Sequence, residues 1–282
     1  MAIHYDMSFN AYRRLDGWNW SKIKLLVNGS PKHVKHAVGT EDDGDTTGRL
    51  KLRAVHTMTL EPHNFERDYL VYDGPLSKAT RNTKAYKTFV AENGGKHVLL
   101  PADVEEIKAT AAAYRAHPVV AEFLADGKPE VTLTWTHPAT GLPCKGRLDW
   151  LTPTAIPDLK GLGTAHPRQV GSLVAKNLYH GQLAHYREGA AQNGLGELDT
   201  FIISGEGKGA QDVGVFDLGA GVAFSALWSG QRLRERLMGK LAWCVEHDRW
   251  PGAADFDAWP NPMTSTVGLD LPPWAEESEE GE

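Results

Sequence analysis

Between residues 131 and 160 the hydrophobic repeat of the chain changes, and that change sets the fold class. Val131-Thr-Leu-Thr-Trp135 alternates apolar and polar residues, the two-residue repeat of a strand with one face in a core. Pro138 to Pro143, with Gly141 between them, reads as a turn. Residues 144–151 make a second strand and residues 155–160 a third, closed by Gly161 and Gly163. On both sides the repeat is helical. Upstream, residues 18–28 open with Ser21 as an N-cap before an apolar run, and Ser30-Pro31 starts a second short helix carrying His33 and His36. A polar loop over 40–48 precedes a helix over 49–60, which contains His56 and stops at Glu61-Pro62. Residues 102–125 are helical with a break at His117-Pro118. Downstream, one long helix is predicted over 167–192, strands over 200–204 and 213–218, and a final helix over 219–247. Leu227, Leu233, Leu237 and Leu241 give that helix a buried stripe. The order predicts a single α/β domain over 1–282. Its core runs from 118 to 250, a mainly helical part covers 1–117, and a Pro- and Trp-rich arm over 251–282 ends acidic and disordered.

Charge bounds the partners less than its sum suggests. The formal net charge is −6, which disfavours a nucleic-acid partner. Yet Glu276, Glu277, Glu279, Glu280 and Glu282 all lie in the last nine residues, and the rest of the chain carries only −1. Lys22, Lys24, Lys32, Lys35, Arg49, Lys51 and Arg53 make the N-terminal region basic. No run approaches the ~18 apolar residues of a membrane span. The first residues lack the basic-then-apolar pattern of a signal peptide, so a cytoplasmic protein with no membrane partner is expected. Cys144 and Cys244 are too few for a four-cysteine zinc or iron–sulfur site and read as reduced, buried thiols.

Chemistry concentrates on the predicted strands. Asp149 ends the second strand after Lys145, Gly146 and Arg147; alone it would be an ordinary strand-end or turn aspartate. Asp158 and Lys160, two residues apart on the third strand, point to one face. Two carboxylates on neighbouring strands suit a hard divalent cation such as Mg²⁺, which takes oxygen ligands and keeps several waters. A lysine beside it can hold or polarise an attacking water, as phosphodiester hydrolysis requires. On the following helix Tyr179, Gln182 and Tyr186, at i, i+3 and i+7, share a face and could orient Lys160 or hold a phosphate. Lys145, Arg147 and Lys176 are candidate phosphate contacts, and Glu130 opens the first strand.

Asp149…Asp158-Leu-Lys160 followed by Gln182-x-x-x-Tyr186 resembles the PD-(D/E)xK nuclease superfamily in its RecB-like branch. The exonuclease VIII (RecE) type of phage and prophage nuclease is the closer likeness. It is carried by Trp20-Ser21-Lys22-Ile23-Lys24 with Ser30-Pro31, by His56…Leu60-Glu61-Pro62, by Gly141 to Asp149, and by Pro272-Pro273-Trp274. The resemblance implies a central mixed sheet flanked by helices. It implies His56, Asp149, Asp158 and the Leu159 carbonyl as ligands of Mg²⁺, with Mn²⁺ as a substitute, and Lys160 as the catalytic lysine; related nucleases place an acidic residue near the site where Glu130 stands. It further implies 5′-to-3′ degradation of linear double-stranded DNA, a homo-oligomeric ring around the DNA, and a single-strand annealing protein as partner. In one respect the chain departs from the type: a Gly usually precedes the histidine by a few residues, where Leu52 and Arg53 stand here. The alternatives are a Cas4-like or RecB-like single-strand nuclease and a catalytically inactive DNA-binding relative.

Overall fold

A computed structural model describes residues 1–39, 46–77, 80–219 and 225–253. The predicted arm over 251–282 therefore lies almost wholly outside the described residues, as do the acidic stretch of the polar loop at 40–45 and residues 220–224 of the expected last helix. The chain divides into two compact units, Met1–Trp20 with Asp42–Arg236, and Ser21–Glu41 with Leu237–Glu282.

The larger unit is built on strands β1 (Ala2–His4), β2 (Tyr69–Val71), β3 (His97–Leu99), β4 (Lys128–Thr136), β5 (Pro143–Leu151), β6 (Ala155–Lys160), β7 (Asp199–Gly205) and β8 (Val213–Asp217). β4 and β5 form an antiparallel hairpin, Trp135 opposite Cys144 and Val131 opposite Leu148, and β1 adds antiparallel to β4. β6 runs parallel to β7, and β8 returns antiparallel. β2 and β3 make a separate parallel pair. The fold is mixed α/β, as expected, but the N-terminus is not purely helical: β1, β2 and β3 lie in the part expected to be helical, and β1 extends the central hairpin.

β5 and β6 lie side by side, joined at their turn by Thr152 N–H donating to the Ala155 carbonyl at 2.9 Å. Pro157 explains why the ladder opens further along. In a strand, the N–H groups of residues 155, 157 and 159 point the same way. The Leu159 N–H points to β5, so the donor that proline lacks is on that side and the pairing with β7 is undisturbed. All but the last residue of β6 is buried, as expected of an inner strand covered on both faces. One covering layer is explicit: Tyr114, Val120, Leu159 and Ile203 cluster together, with Val55 and Phe123 against them.

The helix carrying His56, Thr47–Leu60, starts two residues earlier than predicted because the Thr46 side chain accepts from the Arg49 N–H and caps it. The predicted helix over 102–125 is two, Pro101–Ala116 and Pro118–Ala125, divided at His117-Pro118 as expected. The long helix over 167–192 is also two, Pro167–Lys176 and Tyr179–Gln192. Between them Leu178 takes φ +59°, a conformation a branched side chain rarely adopts. Its carbonyl accepts from Trp20 Nε1 at 3.0 Å, and the Trp20 indole lies so close to Gly181 that a Cβ there would come within 2.1 Å of the ring. That tertiary contact fixes a break that no Gly or Pro announces.

The smaller unit contains Pro31–Gly39 and the C-terminal half of Ala226–Glu246. Ile23, Leu26, Val34, Leu237, Met238, Leu241 and Cys244 are its buried apolar side chains. Lys35 pairs with Asp248 at 2.8 Å and lies over the Trp250 ring. Among the described residues no helix is long and apolar enough to cross a membrane.

Candidate metal-binding active site

The opened edge between β5 and β6 is where the ionisable residues gather. The Asp149 carboxylate occupies the gap, Oδ2 accepting from the Leu159 N–H at 2.8 Å. By strand parity the Leu159 carbonyl faces the same gap, and the Leu159 main chain also hydrogen-bonds His56. His56 reaches in from the last turns of Thr47–Leu60, its Nδ1 3.6 Å from Asp149 Oδ2. Asp158, 0% exposed, has Lys160 Nζ 2.6 Å from Oδ2. Lys160 Nζ also stands over the Tyr179 ring, 4.8 Å from its centroid. Gln182 Nε2 donates to the Tyr186 hydroxyl at 2.7 Å, one turn along the same helix. Tyr186 packs close against β5 because position 146 is glycine; a Cβ there would come within 2.9 Å of the ring.

Electrostatics follow from burial. Asp149 and Asp158 are each pushed up to about 6, chiefly by loss of water, with Lys160 pulling the other way. Burial, then Lys160, lowers His56 to about 4, so its ring is neutral at pH 7. Lys160 is raised because the two carboxylates outweigh its own desolvation. The Tyr186 hydroxyl is held well above its ordinary range by burial and by Asp158.

The donor set suits a divalent ion. Lys160 meets only one Asp158 oxygen, Oδ1 is buried with no partner, and so is His56 Nε2. Buried polar atoms are nearly always paired, so two left without a partner beside one gap call for a ligand. Two carboxylates, a neutral imidazole and a main-chain carbonyl are acceptable ligands for Mg²⁺ or Mn²⁺.

The structure gives several predicted residues other work. Lys145 is 2% exposed, and its ammonium donates to the carbonyls of Tyr12, Arg13 and Leu15. It caps the helix Phe9–Arg14 and is not placed to meet a phosphate, a correction to the sequence reading. Arg147 is bound to Glu130 and donates to the Met7 carbonyl at 2.6 Å. Lys176 is exposed at the C-terminal end of Pro167–Lys176, and no contact ties it to the gap. Glu130 is the opposite case. Its neighbours' register sets it across from Asp149, its φ is +52°, and its charge acts on both His56 and Asp149. Local strain of that kind is common at functional sites.

A cleft of about 250 Å³ begins beside the gap, lined by Leu52 and Val55 of the His56 helix, Gly161 after Lys160, and Lys51 and Lys208. Leu52 lies on Gly161, where a Cβ would come within 2.4 Å of it. The larger residue at 52 is thus accommodated by the glycine just after β6, and both lysines of the cleft pair with Glu106. Sequence reading missed this wall because its parts are more than a hundred residues apart.

Comparison with known proteins agrees with the mixed α/β fold. No curated protein matches the chain. The fold resembles a crystal structure from Eubacterium rectale described as "Putative exonuclease", with a TM-score of 0.63 at 15% identity, over 95% of this chain and 96% of that one. A family model described as a PDDEXK-like domain of unknown function (DUF3799) matches residues 20–256. That match takes in His56, Asp149, Asp158, Lys160 and the helix behind them, and the chain therefore belongs to this PDDEXK-like family.

Proposed function

We propose that the protein is a Mg²⁺-dependent exodeoxyribonuclease that degrades linear double-stranded DNA from 5′ ends and leaves 3′ single strands for annealing. The observation that carries the reading is the pair of carboxylates on parted strands, one of them fully buried with an oxygen that nothing meets, beside a lysine. When bound, the ion supplies Lewis acidity toward the scissile phosphate and lowers the pKa of a bound water. His56, Asp149, Asp158 and the Leu159 carbonyl would hold it. Lys160, restrained by Asp158 and the Tyr179 ring, positions the attacking water and balances charge that develops on the phosphate. Gln182 and Tyr186 fix the wall behind Lys160, the high Tyr186 pKa keeping its hydroxyl protonated and able to donate. The lysine-edged cleft offers a path for the strand. Arg147 enters only by holding Glu130 in place.

The exonuclease VIII type, the 5′-to-3′ direction, the homo-oligomeric ring and the annealing partner rest on the motif resemblance, as does a cytoplasmic setting on the sequence. A ring would keep a mildly acidic chain on DNA by topology instead of by charge. Linear duplex labelled at either the 5′ or the 3′ end, beside a closed circle, tests the reading. Early release of the 5′ label with an intact circle is expected. Cutting of the circle would rule out an exonuclease, and early release of the 3′ label would reverse the direction.

A further inference from the structure

A second donor cluster lies outside this site. His137 ends the loop side of β4, Glu188 sits on Tyr179–Gln192, and Glu235 sits on Ala226–Glu246. One ligand atom from each falls within 4.8 Å of the other two, the one such trio of His, Cys, Asp or Glu among the described residues. His137 is 1% exposed, and its Nε2 has no hydrogen-bond partner. Glu235 Oε2 is 3.2 Å from it but off the direction a hydrogen bond needs, and Glu188 Oε1 is 3.8 Å away.

These separations fit ligands better than partners. For a tetrahedral ion with bonds of about 2.0–2.1 Å, ligand atoms stand about 3.3 Å apart, each off the others' bonding axes. The atoms behind the ligands are also fixed. His137 Nδ1 meets Thr140 Oγ1 at 2.9 Å; with Nδ1 donating, Nε2 turns its lone pair to the glutamates. Glu188 Oε2 accepts from Trp135 Nε1 at 2.9 Å, and Arg234 holds Glu188 Oε1 at 2.9 Å and Glu235 Oε1. Glu235 Oε2 is left facing His137, and half of the Glu235 side chain is in water, so solvent can reach a fourth position.

We propose that His137, Glu188 and Glu235 form a binding site for a divalent transition-metal ion of the Zn²⁺ class. One imidazole with two carboxylates is a three-ligand set that suits Zn²⁺ with its fourth position open, whereas the first site adds a main-chain carbonyl and is richer in oxygen. The ion tethers Ala226–Glu246 to β4 and to the helix that carries Gln182 and Tyr186. With Arg234 already present, the two glutamates leave one net negative charge for it.

The test uses the full chain, stripped with a chelator and dialysed against micromolar Zn²⁺, with bound metal counted by elemental analysis. Asp149→Asn/Asp158→Asn removes carboxylates of the first site, so the second is counted alone and independently of nuclease activity. One Zn²⁺ per chain is expected in that background, retained in millimolar Mg²⁺. Glu235→Gln should lower Zn²⁺ affinity by at least the ~10–100-fold that losing an outer-shell partner costs. Because Glu235 is half-exposed, this change spares the core; His137→Asn provides a second measurement. Absence of bound Zn²⁺ in the background, or Zn²⁺ binding unaltered by Glu235→Gln, would overturn the proposal.

Discussion

Around Asp158 one carboxylate oxygen meets Lys160 and the other is buried with no partner, whereas around Glu188 each oxygen has a donor, Trp135 on one side and Arg234 on the other. Each cluster is centred on a largely buried acid with a basic side chain against it. The difference lies in what the fold has satisfied. At Glu188 the charge is neutralised by neighbours, which holds three elements together. At Asp158 part of the cost of burial is left standing despite Lys160, and the two aspartates register it as pKa values near 6. A fold tolerates such a cost where an incoming ion removes it.

The comparison breaks first at Lys160. Lys160→Ala should reduce nucleotide release from linear duplex by ~10²–10³-fold or more while circular dichroism and the unfolding midpoint stay near wild type. Comparable activity in that variant would mean the gap is not the reaction centre. Arg234→Met should do the reverse. It strands the largely buried Glu188, costing about 3–5 kcal/mol of stability in denaturant titration, while activity per folded molecule stays within a few-fold. An equal loss of activity would make the second cluster part of the catalytic apparatus.

Smaller effects sharpen the contrast. His56→Ala should weaken Mg²⁺ binding by ~10–100-fold without removing it, read from the metal dependence of the rate; an unchanged dependence would take His56 out of the ligand set. Acidity supplies the last comparison. Because the folded pKa values of Asp149 and Asp158 lie above the carboxylate's 3.8, their stabilising contribution is complete below about 3.8 and lost as pH rises through about 6. The metal-free protein thus carries the cost above pH 6, and the ion relieves it there. The rise in melting temperature on adding Mg²⁺ should be largest above pH 7 and shrink as pH falls through 6. His56, lowered to about 4, stays neutral through that window in the fold, and its own contribution is lost as pH falls through 4. A Mg²⁺ shift independent of pH between 5 and 8 would contradict the buried-carboxylate account.

Much of the frame was legible because it is local. Two-residue alternation over 131–135, the turn at Gly141 and the glycines after Lys160 set three strands whose limits moved by only a few residues. His117-Pro118 divided a helix where a proline must. What escaped depends on partners remote in sequence. The three residues of β1 carry too little pattern to announce a strand that pairs with Lys128–Thr136. The turn at Leu178 is held by Trp20, more than 150 residues away. Lys145 resembles a phosphate contact by residue type, yet its stem is buried and its ammonium serves the end of Phe9–Arg14. His137, Glu188 and Glu235 form no motif at all.

The sequence by itself determined the α/β order of elements, the placing of Asp149, Asp158 and Lys160 on adjacent strands, and, through Pro157, where the sheet could part. Repeat and backbone chemistry act over a few residues and can be read along the chain. Tertiary structure alone decided which charges are stripped of water and which are given partners, since desolvation and pairing are properties of packed neighbours. That is why Asp158 and Glu188, each an acidic residue of a packed element, differ in how fully their oxygens are satisfied.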